Sequence, residues 1–131
     1  MNYLGVYHSD YSRSNSGIFD APCITVGRMM LCGRGCFSRG KRLAMAWGRL
    51  RGGKTLASAL GCSEEATAAE LVLRAYERWG EDYPSHIEGP VVSCVMDAES
   101  DALVLSRDRM GEKPVFYAKH GDSLVFSDHP D

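Results

Sequence analysis

The sequence predicts an α+β fold of stacked antiparallel β-sheets with helices outside them. Three observations carry this reading. One strongly marked helix, Thr67–Trp79, precedes a run of short apolar segments: Val91–Met96, Leu103–Ser106, Val115–Lys119 and Ser123–Ser127. Turn-rich pieces divide those segments, the pattern of an antiparallel meander. Val91–Met96 has only Ser93 as a polar residue, so it is apolar on nearly both faces and needs one layer above it and another below. The 131 residues suit a single domain, 1–131, with a core large enough to need no staple.

Taken in order, residues 2–7 (NYLGVY) read as a short strand and residues 9–17 as loop, by their serine, asparagine and glycine content. Cys23–Leu31 is strand-like. Residues 32–41 (CGRGCFSRGK) hold three glycines and read as a turn, and Leu43–Trp47 is a short apolar segment ended by Gly48–Gly53. Thr67-Ala-Ala-Glu70 is a capping box, in which the threonine hydroxyl serves first-turn amides and Glu70 reaches back. Leu71, Val72, Ala75, Tyr76 and Trp79 then share one helical face, which is expected to lie on the sheet, and Gly80 stops the helix. Pro84–Glu88 adds a short helical turn.

The composition excludes several classes. With 44% apolar and 24% charged residues the chain is neither a disordered tail nor a fibre. It contains no apolar run of membrane-spanning length, and its start lacks the basic-then-apolar pattern of a secretory signal, so a cytoplasmic location with no membrane partner is expected. The net charge is −2, but residues 1–60 carry nine Lys/Arg against two Asp/Glu, and residues 61–131 carry six against fifteen. Overall acidity and few aromatics among the arginines argue against nucleic acid and for two halves that neutralise each other when packed. The role of the basic stretch 28–54 is left open. The five cysteines, 23, 32, 36, 62 and 94, are odd in number and read as free thiols. Cys32 and Cys36 lack two further ligands for a metal site, so none is expected, nor any cofactor. Both lie near Arg28, Arg34 and Arg39, which would depress a thiol pKa, but no histidine stands by as a base. His8, His86, His120 and His129 are scattered and read as surface residues.

Gly48-Arg-Leu-Arg-Gly-Gly53-Lys54-Thr55 fits the phosphate-binding pattern G-x-x-x-x-G-K-[ST]. Leu43–Trp47 would be the strand before it, Thr55–Leu60 the helix after it, and Val91–Met96 with Asp97 the magnesium-holding strand. The objection is architectural, because such a loop needs parallel strands and repeated crossovers. A nucleotide-binding protein is therefore the alternative reading.

The stretch Glu70–Asp128 resembles the amino-terminal glutamine-hydrolysing domain of asparagine synthetases. The matching pieces are AYERWG at the helix end, IEGPVVSCVMD, SRDRMGEKPVFY as a hairpin, and SLVFSD. Leu4-Gly5-Val6-Tyr7 looks like the first strand. The resemblance implies an N-terminal nucleophile hydrolase fold, a shortened αββα sandwich. It also implies hydrolysis of glutamine by an amino-terminal cysteine whose own α-amino group is the base.

Residue by residue, the family's functional positions are changed. Met1, or Asn2 if the register slips by one, stands where the cysteine belongs. Trp47-Gly48 stands at the asparagine-glycine pair that donates to the oxyanion. Ala68 replaces the aspartate that holds the substrate ammonium, and Arg34 or Arg39 is the remnant of the carboxylate-gripping segment. The expectation is a domain that keeps the scaffold without glutaminase chemistry and has no catalytic residue. It would serve an ATP-dependent, amide-forming synthetase in cis or trans, with homo-oligomer formation left open. The serine-glycine-glycine-x-aspartate-serine loop of the synthetase half is not in these residues, so the chain is either a stand-alone remnant or a piece ending at a domain boundary. A surviving glutaminase site elsewhere in residues 8–60 is the remaining possibility.

Overall fold

The computed structural model describes residues 3–7, 23–107, 116–120 and 123–128. Two antiparallel sheets stack face to face. The first has the order β2 (Cys23–Val26), β3 (Met29–Gly33), β1 (Tyr3–Tyr7), β9 (Ser123–Ser127), β8 (Phe116–His120). The second has the order β4 (Cys36–Arg39), β5 (Arg42–Gly48), β6 (Val91–Asp97), β7 (Ala102–Ser106). The described helices, α1 (Gly53–Leu60) and α2 (Ala68–Trp79), belong to the side of the second sheet facing away from the first. A 3₁₀ segment, Gly80–His86, follows α2. No helix among the described residues is long and apolar enough to cross a membrane.

Alternation along the strands builds the core. Tyr3, Met29, Leu31 and Phe126 of the first sheet meet Leu43, Met45, Val92, Cys94 and Met96 of the second. The other face of β6 gives Val91 and Val95 to a cluster with Ala44, Val72, Leu73, Ala75 and Tyr83. All seven residues of β6 are buried, as a strand between two apolar layers must be. Its one polar interior side chain, Ser93, is within 2.9 Å of the buried Tyr83 hydroxyl. Tyr83→Phe is expected to cost about 1–3 kcal/mol by orphaning that serine. Equilibrium unfolding in urea reads the loss, and an unchanged midpoint would mean that Ser93 finds another partner.

Thr67 caps α2 through its hydroxyl oxygen, which accepts from the Glu70 amide at 3.2 Å, and Gly80 ends the helix with φ 65°. Its packing differs from the single-face expectation. Val72 and Ala75 lie on the sheet, but Leu71 turns to Leu56 and Ala57 of α1. Trp79 is half-buried and stacks on the exposed ring of His86 at 3.9 Å. The second helix accounts for both shifts, because it takes the flank of α2 that the sheet leaves uncovered.

Three other expectations change. Cys23–Leu31 is not one strand but the β2–β3 hairpin, turned at Gly27 with φ 59°. Residues 32–41 contain β4, which returns to β5 through Gly40. The last four strands do not form one meander: β7 pairs with β6, whereas β8 pairs with β9 in the other sheet. The SRDRMGEKPVFY element therefore carries the chain from one sheet to the other instead of closing a hairpin. Its residues 108–115, including Asp108 and Arg109 of the Arg-Asp-Arg run, lie outside the described residues, as do His8 and His129.

Cysteine usage also departs from the sequence reading. Cys23 and Cys32, directly opposite each other on β2 and β3, are joined by a disulfide. Cys36, Cys62 and Cys94 are free thiols.

Candidate functional site

The start of β1 and the end of β5 meet at one end of the sandwich. Tyr3 opens β1 and points between the sheets, where its ring lies 5.4 Å from Trp47 and 6.5 Å from Phe126. Its amide donates to Asp128 Oδ1 at 3.3 Å, tying the start of β1 to the end of the first sheet. Burial pushes the Tyr3 hydroxyl pKa upward, and the neighbouring Asp128 carboxylate adds to the rise, so this phenol stays protonated. Trp47 sits in register with Val92 near the end of β5 and faces inward, as the alternation from Leu43 and Met45 requires. The space beside the first strand is thus filled by aromatic rings.

Gly48 follows with φ 116°, and a Cβ there would collide with the Pro90 carbonyl. Only glycine fits this bend. Ala68, the first residue of α2, packs with the cluster on the helix side of the second sheet. Tyr76 and Glu77, two turns along α2, reach Asp97 and Arg42 at the sheet's far end, which leaves Ala68 toward the Trp47 end but in the helical layer. Arg34 precedes Gly35, whose carbonyl accepts from the Ala46 amide at 3.0 Å, so Arg34 lies beside this end. Arg39 does not: it pairs with Glu77 at 3.6 Å at the opposite end. Met1 and Asn2 lie outside the described residues.

The phosphate-loop alternative fails on its own geometry. A strand, a glycine-rich loop and a helix do follow one another, with Gly52 at φ 64° before α1. Yet β5 and β6 are antiparallel, so Gly48 faces Val91 while Asp97 faces Arg42, the full strand length away. Two of the loop amides are also occupied. Arg49 N–H donates to the Pro90 carbonyl at 3.1 Å and Arg51 N–H to the Glu88 carbonyl at 2.9 Å. A phosphate cradle needs those donors free and the aspartate beside them.

Asp97 instead anchors the far end. It accepts from Arg42 Nε at 3.1 Å, the Tyr76 hydroxyl at 2.9 Å and the Glu99 amide at 3.0 Å. Burial alone would raise its pKa. The Tyr76 and Arg42 hydrogen bonds, the Glu99 amide and the guanidinium charge outweigh that and hold it below its ordinary 3.8. A carboxylate depressed in the folded state stabilises the fold above its unfolded pKa, and that contribution is lost as pH falls through the folded value. Asp97→Asn is therefore expected to flatten the fall in stability below about pH 4. Urea midpoints between pH 5 and pH 2.5 measure this, and parallel curves for the two proteins would refute it.

The arginines near Cys32 and Cys36 in sequence do not lower a thiol pKa. Cys32 is bonded to Cys23, and burial pushes the Cys36 thiol up to about 12. The buried Cys94 thiol is likewise raised by burial and by neighbouring Cys36. Arginines near Cys36 in sequence point to solvent, while the thiol faces the core, so proximity along the chain says nothing of its environment. The Tyr3–Trp47 contact is a feature that sequence reasoning missed. Its signal was present in the alternation of β5 and in an aromatic two residues before Gly5.

Comparison with known proteins agrees with this architecture. A family described as a glutamine amidotransferase domain matches residues 54–131. Asparagine synthetase [glutamine-hydrolyzing] 3 of Bacillus subtilis is 36% identical over 75 residues, covering 52% of this chain and 12% of that protein. The putative asparagine synthetase [glutamine-hydrolyzing] 2 of Methanocaldococcus jannaschii is 32% identical over 65 residues, covering 50% of this chain and 13% of its own length. The chain thus spans about an eighth of these curated relatives. The solved glutamine phosphoribosylpyrophosphate amidotransferase of B. subtilis, complexed with ADP and GMP, superposes over 98% of this chain and 36% of its own, with a TM-score of 0.63 and 11% identity. That likeness concerns the fold alone, which is of the N-terminal nucleophile hydrolase type.

Proposed function

Because the chain belongs to the glutamine amidotransferase domain family, in its asparagine synthetase-type branch, we propose that it keeps the family scaffold, 1–131 as one domain, without glutamine hydrolysis. Its role is structural, supporting an ATP-dependent synthetase that forms amides, in cis or in trans. The observation that carries the reading is the Tyr3–Trp47 contact, with ring centroids 5.4 Å apart. An asparagine at position 47 would leave room beside the start of β1 and offer a side-chain N–H to a tetrahedral oxyanion. An indole there fills the room, and its position against Tyr3 aims it into the core.

Two further positions support it. Met1 or Asn2 provides no thiol, so no acyl-enzyme can form by the family route. Ala68 offers no carboxylate to a substrate ammonium, and an ammonium drawn from water without a partner costs several kcal/mol. The test is incubation of the protein with glutamine and an enzyme-coupled assay for glutamate. Glutamate release at the buffer rate is expected. Turnover that follows protein concentration would overturn the reading and point to a site elsewhere.

A further inference from the structure

The two ends of the second sheet treat their cations differently. At the end formed by the β4–β5 turn, Arg39 and Arg42 are matched by Glu77, Asp97 and Glu99, at 3.1–3.6 Å. The two halves of the chain neutralise each other there. At the opposite end the register gathers five exposed cations. Arg34 precedes β4, Arg49 and Arg51 follow β5 alongside Pro90 and Glu88, Arg107 follows β7, and Lys54 lies in the first turn of α1. Ser106 pairs with Ser93, which places Arg107 level with the start of β6 and near enough to Tyr3 to act on its hydroxyl. Among the described residues none of the five makes an ion pair. Among the described residues the acids at this end are Glu88, whose backbone bridges to Arg51, and Asp128, which is buried and accepts from the Tyr3 amide.

From this asymmetry we infer that the basic end of the sandwich is a docking surface for an acidic polypeptide segment in extended conformation. Four of the five cations are arginines, whose planar forks match carboxylates two bonds at a time. Arg34 and Arg107 flank four strands, and three inter-strand spacings make about 14 Å, the reach of four or five extended residues. Unpaired like charges held this close repel one another, and a partner's carboxylates relieve the repulsion. A nucleic acid fits less well. Glu88 stands among the cations, and the whole chain is acidic at −2. This inference does not depend on whether glutamine is hydrolysed.

The probe is a fluorescein-labelled octapeptide of alternating glutamate and serine, titrated by anisotropy, beside a labelled oligothymidylate of equal charge. The peptide is expected to bind at low salt and to weaken steadily as salt rises. The double variant Arg49→Glu/Arg51→Glu is expected to lose more than tenfold in affinity, and Arg34→Glu/Arg107→Glu a similar factor. Lys41→Glu, at the neutralised end, is expected to change affinity less than twofold. Absence of peptide binding at low salt, equal loss in Lys41→Glu, or tighter binding of the oligothymidylate each overturns the inference, the last in favour of a nucleic-acid surface.

Discussion

Phe126→Ala is expected to remove about 3–5 kcal/mol of stability, the range for truncating a fully buried aromatic. Phe126 has no solvent exposure and pairs across β1–β9 with Gly5. A Cβ at Gly5 would collide with the tip of the Phe126 ring, so the glycine is the floor on which that ring rests. The same ring meets Tyr3 at 6.5 Å, and through Tyr3 it braces Trp47. Truncation opens a void between two rigid sheets, where neighbours cannot collapse far. Domains of this size hold only about 5–15 kcal/mol in total, so about a fifth or more would go. Guanidinium unfolding monitored by tryptophan fluorescence reads it. A loss below about 1 kcal/mol would show that Phe126 is not the keystone described.

The second large effect is the failure of a simple repair. Asn2→Cys, with Met1 removed by the host, restores a thiol beside a free amine, yet glutamate release is expected to stay at background. The oxyanion side-chain donor is still missing at Trp47, and loss of one such donor typically removes about 10²–10³ in turnover. The ammonium partner is still missing at Ala68, so glutamine is not held in line with the thiol. Only a variant that adds Trp47→Asn and Ala68→Asp has all three groups. That variant also gives up the half-buried indole against Tyr3, so its unfolding curve must be measured with its activity. Hydrolysis by Asn2→Cys alone would mean that Trp47 and Ala68 do not stand at the proposed positions.

Much of the fold was legible because its signals are local. The capping threonine and the following apolar spacing placed α2, and Val91–Met96 announced by its double-faced hydrophobicity that it runs between two layers. The partition of strands between sheets was not legible. Ala102–Ser106 and Phe116–His120 look alike as sequence, and only tertiary pairing sends one to β6 and the other to β9. The two hairpins at Gly27 and Gly40 were missed because each turn is two residues long and lies inside a longer apolar or glycine-rich run. At the site, the residue types at 47, 48 and 68 could be read directly. What sequence could not give was the contact between Trp47 and Tyr3, which depends on how the sheets stack. Nor could it show that Arg39 and Arg34, five residues apart, belong to opposite ends of one sheet.

The strand order carries a consequence for how the chain acquires its structure. The second sheet and its helices come from one uninterrupted stretch, residues 36–106, so the loops their contacts close are shorter than the largest one in the first sheet. In the first sheet, β1 lies between β3 and β9, and its Leu4 is opposite Ser127. Joining them closes a loop of nearly the whole described chain, an entropic cost met only after other contacts exist. Order of assembly follows from this: the helix-backed sheet forms as a unit, and the other is completed last, when the final strand slides in beside the first. During synthesis β1 must wait, with one hydrogen-bonding edge bare, until β9 has been made.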